Sequence, residues 1–324
     1  MSSRRHVSRA VVVAAWLIVG ALGVLTLAQA IGVTGSPVVA VAQTLTPYTV
    51  LLLVPIIVVA LARRRQLVLA TTATAIVFGV AALAVPLTVP DPQDEPAADA
   101  VGLRVAAANL WYRNTEVATV ADELEQLDAD VLVLSEYTVA HQATLEASGL
   151  AAMYPHRSDI RGRGPTRISV WSRLPLSNQR GLDTYKGRVE LTVRGPDGDV
   201  DLVATHLSTP IDDFEAWQQE LATASDIART ATAPVLLIGD LNATYWHPDF
   251  RRLLDSGFVD AHIAAGRGMS TSWPTDWFVP PFVRLDHALT GGGLVSTDVV
   301  DVDVAGSDHR GLMVTVAPAQ HAAP

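Results

Sequence analysis

Eight residues with acid, amide or imidazole side chains, in six short segments, stand at or beside the ends of short apolar runs. They are Asn109, Glu136, His206, Asp240 with Asn242, Asp286, and the pair Asp308-His309. Leu103–Ala108 leads into Asn109, Val131–Leu134 stops one residue before Glu136, Val200–Thr205 leads into His206, and Val235–Ile238 into Gly239-Asp240. Short apolar runs of this kind read as strands, and ligands of α/β sheets collect where strands end. Singly, each Asn or Asp reads as a turn former and each His as a packing residue. Together they read as a site. Carboxylates with few His and no Cys favour a hard, oxygen-preferring cation, Mg²⁺ with Mn²⁺ or Ca²⁺ as alternatives, over zinc. An Asp beside a His orients the imidazole and stabilises its charged form, and Asn N–H groups can hold a phosphate oxygen. Such a set suits metal-assisted attack of water on phosphorus. The chain has no Gly-x-Ser-x-Gly nucleophile context, and Gly291–Gly293 is followed by neither a Lys nor a helix, so it is no phosphate loop.

The elements that must position these residues alternate between strand and helix. Thr115 is expected to cap a helix with Val117, Val120, Leu124 and Leu127 on one face. Val189–Val193 and Val200–Thr205 flank Gly195-Pro196-Asp197-Gly198, a hairpin signal. Phe214–Arg229 and Phe250–Leu254 read as helices, and Arg167–Trp171, Leu285–Leu289, Val299–Val304 and Met313–Val316 as further strands. Strands outnumber helices, and the fold class expected is an α/β sandwich of mixed sheets between helical layers.

The first ninety residues belong to a different solvent. They hold six Arg and no Lys, Asp or Glu, whereas residues 91–324 carry 17 basic and 33 acidic groups, net −16. Three charge-free runs, 10–33, 37–62 and 67–89, each exceed the ~20 helical residues that cross a bilayer. Pro47 and Pro55 predict a kink in the second. Arg4, Arg5 and Arg9 before the first run, and Arg63–Arg65 after the second, put residues 1–9 and that loop in the cytoplasm and everything after Val89 outside it. The run ending Ala28-Gln29-Ala30 also resembles a signal peptide, although its apolar core is longer than the usual ~7–15 residues. Residues 90–100 form an acidic, Pro-rich linker, 101–318 the expected soluble domain and 319–324 a loose tail.

The ordered set AANLW, LSEY, ATHLS, GDLNAT, RLDHAL and GSDHRG resembles the endonuclease/exonuclease/phosphatase superfamily with the DNase I-like fold, over roughly Leu103 to Val316. The stretch GDLNATYWHPDFRRLLDSG with the following Thr271-Ser272-Trp273-Pro274 is most similar to a membrane-anchored bacterial branch that includes proteins linked to teicoplanin resistance. The resemblance implies a four-layered α/β sandwich with two central β-sheets. It implies that Glu136 binds Mg²⁺ with help from Asn109 and Asp308. Asp240 and Asn242 would contact the attacking water and the scissile phosphate, Asp286 would orient His309, and His206 would assist the leaving oxygen or bind phosphate.

Several other residues invite smaller expectations. Arg161, Arg163 and Arg167, in the basic stretch RGRGPTR, are candidates to grip an anionic substrate or lipid headgroup. Trp246, His247, Trp273 and Trp277 could frame a substrate-selecting rim, Arg173 reads as structural with a phosphate contact as the alternative, and His287 reads as supporting Asp286 or as packing. Tight nucleic-acid binding normally needs clustered basic residues, so net −16 disfavours a nuclease, which stays as the alternative. The expected partners are the lipid bilayer and a phosphorylated envelope or lipid-linked substrate, with no obligate protein partner. A non-catalytic envelope scaffold is the third reading.

Overall fold

The computed structural model describes residues 2–63, 66–91, 93–161, 167–182 and 186–320. Its chain divides into two compact units, Met1–Pro86 with Tyr245–Arg251, and Leu87–Thr244 with Arg252–Pro324.

The first unit contains α1 (Ser2–Ala30), α2 (Pro37–Thr44), α3 (Thr49–Ala62) and α4 (Leu67–Ala84). Arg9–Ala30 and Leu67–Leu87 are each long and apolar enough to cross a membrane. The run 37–62 departs from a gentle kink, because α2 and the helical stretch Thr46–Ala62 meet at 57°. Pro47 lies in the 3₁₀ turn Thr46–Tyr48 at that corner, where its missing N–H ends the hydrogen-bond ladder, whereas Pro55 is accommodated inside α3. Amide N–H groups on apolar helices are costly to leave unpaired. Gln29 Nε2 donates to Thr46 Oγ1 and to the Trp246 carbonyl, both at 2.8 Å, and Gln43 Nε2 donates to the Val33 carbonyl at 2.9 Å. The Thr34 hydroxyl donates to Asp249, and the His247 ring meets the Ala40 carbonyl and the Thr44 hydroxyl, each at 3.0 Å. The sequence-distant segment Tyr245–Arg251 thus bonds Gln29, Thr34 and Thr44 of this unit, whereas Gln43 is bonded within the helical part and the side-chain oxygens of both glutamines are buried without a hydrogen bond among the described residues. Arg64 and Arg65 lie outside the described residues.

The second unit is built on two six-stranded sheets. The first sheet runs β11 (Leu294–Val302), β12 (Gly311–Pro318), β1 (Leu103–Asn109), β2 (Val131–Tyr137), β4 (Arg167–Ser172), β3 (His156–Arg161). The second runs β5 (Leu176–Leu182), β6 (Arg188–Gly195), β7 (Gly198–His206), β8 (Val235–Asp240), β10 (Asp286–Gly291), β9 (Val259–Asp260). Both are mixed, with β1–β2 and β7–β8 the parallel pairs. Val105, Val133 and Val314 of the first sheet share one buried cluster with Leu191, Leu202 and Ile238 of the second, so the sheets face each other. On the opposite face of the first sheet, Ala106, Leu132 and Leu134 pack with Val117, Val120 and Leu124 of α5 (Val117–Gln126). Strands buried on both faces lose their two-residue alternation, which explains the continuous apolar runs in the sequence. Short helices α6 (Val139–Glu146) and α7 (Leu150–Met153) follow β2. Next come α8 (Phe214–Thr230), with Trp217, Leu221 and Ala224 buried, then α9 (Pro248–Asp255) and α10 (Ala261–Ala264).

Several boundaries differ from the expectations. The Thr115 cap does not form; Glu116 occupies the cap position, and Asn114 Oδ1 accepts the Glu116 N–H at 2.7 Å. The polar strands β3 and β5 carry too little apolar alternation to be read locally. The acidic linker is not free-standing: Ala97 N–H donates to the Pro318 carbonyl at 2.9 Å and Gln320 N–H to the Glu95 carbonyl at 2.7 Å. Part of the expected tail is therefore held, and residues 321–324 lie outside the described set.

Candidate active site

Strand register assembles the centre. His206 is the partner of Asp240 in the parallel β7–β8 pair, and Asp286 is the partner of Asp240 in the antiparallel β8–β10 pair. Three residues distant in sequence thus form one row across the sheet. Gly239 is required beside them: it has φ +138, and a Cβ there would lie 2.0 Å from the Thr205 carbonyl oxygen. The first sheet contributes Asn109 at the end of β1 and Glu136 in β2. Glu136 has φ 52, next to a register irregularity between Leu134 and Tyr137. That irregularity turns its carboxylate toward the site, and it is held there by the Tyr112 N–H at 2.9 Å.

Asp240 Oδ2 is the convergence point. Asn109 Nδ2 donates to it at 3.0 Å, His206 Nε2 lies 3.4 Å away and His309 Nε2 3.8 Å. The Asn242 backbone N–H donates to Asp240 Oδ1 at 2.9 Å, and the Asn242 side chain donates to the Leu207 carbonyl at 2.9 Å. His309 Nδ1 meets Asp286 Oδ2 at 2.8 Å, as an orienting carboxylate requires. Ser307 pins the loop: its hydroxyl donates to the Asn109 carbonyl and accepts the His309 N–H. Asp308 is half-buried beside Trp273, whose indole N–H points to Oδ2 at 3.4 Å.

The electrostatics divide the groups by role. Burial raises the Asp240 carboxyl to about 6, partly opposed by the nearby His309 charge. Burial by itself would lower His309, but the Asp286 and Asp240 carboxylates outweigh it and raise the imidazole to about 10. His206 falls well below the usual range, through complete burial and then the Lys186 and His309 charges. The centre thus pairs a cationic imidazole on one side with a neutral one on the other. Burial raises Asp308 as well, with the Glu136 charge adding to it.

Two donor sets could receive a cation. Asp240, Asp286 and His309 offer ligand atoms within 4.8 Å of one another. In that set His309 Nδ1 is bonded to Asp286 Oδ2, which leaves Nε2 as its ligand atom. Glu136, Asn109 and Asp308 supply a second set of hard oxygens, each already accepting one N–H, and the mutual repulsion of the Glu136 and Asp308 carboxylates is what a divalent cation relieves.

A family model described as the Endonuclease/Exonuclease/phosphatase family matches residues 106–309, from the middle of β1 to the oriented histidine. The chain belongs to that family. Solved structures agree with the fold. TDP2 of D. rerio, complexed with a single-strand DNA product, has TM-score 0.57 and 17% identity, covering 67% of this chain and 99% of that one. An endonuclease/exonuclease/phosphatase from Beutenbergia cavernae has TM-score 0.52 and 20% identity, covering 67% and 72%. Beta toxin of Staphylococcus aureus has TM-score 0.50 and 18% identity, covering 65% and 99%. No curated protein matches the chain by sequence.

Within this family fold the smaller expectations separate. Arg167 lies in β4 opposite Tyr137, with its guanidinium on Gln142 Oε1 at 3.3 Å. Arg163 and the side chain of Arg161 lie outside the described residues. Trp273 is 6.5 Å from the His309 ring and 5.8 Å from Trp277, whereas Trp246 and His247 belong to the other compact unit. Arg173 is structural, binding Asp128 and covering the Tyr154 ring. His287 joins Asp260 at 2.6 Å and the Ala243 carbonyl at 3.0 Å, behind the loop that carries Asn242. Sequence reasoning missed Lys186, whose Nζ lies 3.1 Å from His206 Nε2. The available signal was its rarity: it is the only lysine in the chain.

Proposed function

We propose that this family member is a membrane-anchored, metal-dependent phosphoesterase acting outside the cytoplasm on a phosphate or diphosphate ester of a lipid-linked or envelope molecule. The observation that carries the reading is the buried row His206–Asp240–Asp286, with His309 held against Asp286. Asp240, raised toward neutral pH by burial, accepts a proton from water as the water oxygen attacks phosphorus. His309, kept cationic by Asp286, donates to the phosphoryl oxygens as negative charge builds on them. The Asn242 amide orients the phosphoryl group, and neutral His206 lines the side of the departing oxygen. A divalent cation held by Glu136, Asn109 and Asp308 would supply Lewis-acid stabilisation of the same charge.

Two features support the substrate class. Net −16 over residues 91–324 repels a polyanion. Helices apolar enough to span a bilayer would keep the enzyme at high effective concentration near a lipid substrate.

The test uses the full chain in detergent micelles with a diphosphate lipid, a phospholipid and plasmid DNA. With Mg²⁺, one of the lipids is expected to be hydrolysed. Chelation should abolish turnover by at least ~10²-fold, with recovery on adding Mg²⁺ back. Turnover of DNA alone would overturn the substrate assignment. Chelator-insensitive turnover would overturn the metal assignment.

A further inference from the structure

Residues 91–324 carry sixteen arginines and one lysine, and that lysine reaches the centre. Its placement follows from the sheet. Arg188 at the start of β6 pairs with Thr205 of β7, so the two residues before it run beside His206. Gly187, at φ 102, turns the chain there, and its carbonyl accepts the His206 N–H at 3.4 Å. Lys186 Nζ then lies 3.1 Å from His206 Nε2.

A lysine serving structure ordinarily meets a carboxylate. Among the described residues, the polar partner of the Lys186 ammonium is the His206 imidazole, although Asp240 is near enough to feel its charge. An ammonium has three N–H donors, and one imidazole nitrogen accepts only one of them. Two donors remain for a ligand, beside His206 and within electrostatic reach of Asp240. Arginine's planar fork suits carboxylates, and the chain uses it for Asp128, Glu190 and Asp301. A compact point charge on a flexible stem suits a tetrahedral oxyanion.

We propose that Lys186, positioned by its hydrogen bond to His206 Nε2, binds a non-bridging oxygen of the scissile phosphoryl group and is a catalytic residue of this site. The inference rests on the phosphoesterase reading. Lys186 takes the face of the phosphoryl group next to His206, opposite the His309–Asp286 pair, so that the growing charge is met from two sides.

Because the chain has one lysine, an amine-directed phosphate ester probes the site selectively. Pyridoxal 5′-phosphate forms an imine when a deprotonated Nζ adds to the aldehyde and water leaves. Borohydride then reduces the C=N bond to a stable amine. Full-length protein in micelles should be labelled at Lys186, with the N-terminal amine as the internal control. Excess inorganic phosphate should slow labelling of Lys186 by about 10-fold and leave the N-terminus unaffected. In parallel, Lys186→Met should lower kcat/KM by about 10²-fold on whichever ester the wild type hydrolyses, with partial recovery in Lys186→Arg. Wild-type kcat/KM in Lys186→Met, or labelling indifferent to phosphate, would overturn the proposal. A wild type inactive on every ester but protected by phosphate would overturn the phosphoesterase reading while supporting Lys186 as an anion-binding residue.

Discussion

Asp240→Asn is expected to lower kcat by about 10³-fold or more while leaving the fold intact. Asp240 Oδ2 is the oxygen toward which Asn109, His206 and His309 all converge. The stability outcome separates this role from a structural one. Burial raises the Asp240 carboxyl, so the folded state holds that charge at a cost, and a neutral isostere removes the cost. The melting temperature of Asp240→Asn should therefore equal or exceed that of the wild type, as for residues kept for activity at the expense of stability. Steady-state hydrolysis and a thermal melt on the same preparation decide it. A variant that loses activity and melts much earlier would identify Asp240 as a fold determinant, and wild-type turnover would remove it from the mechanism.

Asp260→Ala should instead cost stability, about 3–5 kcal/mol, the usual penalty for stranding one partner of a buried ion pair. Asp260 Oδ1 accepts the His262 and Ile263 N–H groups at 2.8 and 3.1 Å, and Oδ2 meets His287 Nδ1 at 2.6 Å. Through His287 it also fixes the Ala243 carbonyl, one residue beyond Asn242. Burial by itself would raise the Asp260 carboxyl, but the His287 hydrogen bond and charge outweigh it and lower it to about 2. A lowered folded-state value means a stabilisation fully present above the ordinary carboxylate range and lost as pH falls through about 2. The wild type should lose about 2 kcal/mol over that acid window from this group. Asp301, also lowered to about 2 by His262 and Arg284 against its own burial, adds loss in the same direction. Denaturant unfolding at stepped pH measures both effects. An Asp260→Asn curve as steep as the wild type between pH 4 and 2 would show that the acid sensitivity lies elsewhere.

Much of the centre was legible because its chemistry is local in sequence. The motif GDLN places Asp240 at a strand exit, and GSDHRG carries both Asp308 and His309 together with the Ser307 that pins them. The hairpin 188–206 was legible because a Gly-Pro-Asp-Gly turn separates two apolar runs. Strands β3 and β5 were not, since HRSDIR and LSNQRGL hold position by pairing with their neighbours and not by apolar pattern. Lys186 was not legible either, because only the β6–β7 register brings it beside His206.

The sequence by itself determined the division between apolar helices and an acidic α/β domain, the family of that domain and the identity of the reactive groups. These follow from composition, period and short motifs, which are properties of neighbouring residues. The tertiary structure alone decided which groups meet. Asp240 sits between His206 and Asp286, Lys186 faces His206, and the segment 245–251 bonds Gln29, Thr34 and Thr44. Such meetings depend on strand register and on hydrogen bonds between residues as many as about two hundred positions apart, for which no local pattern in the chain is a sufficient cause.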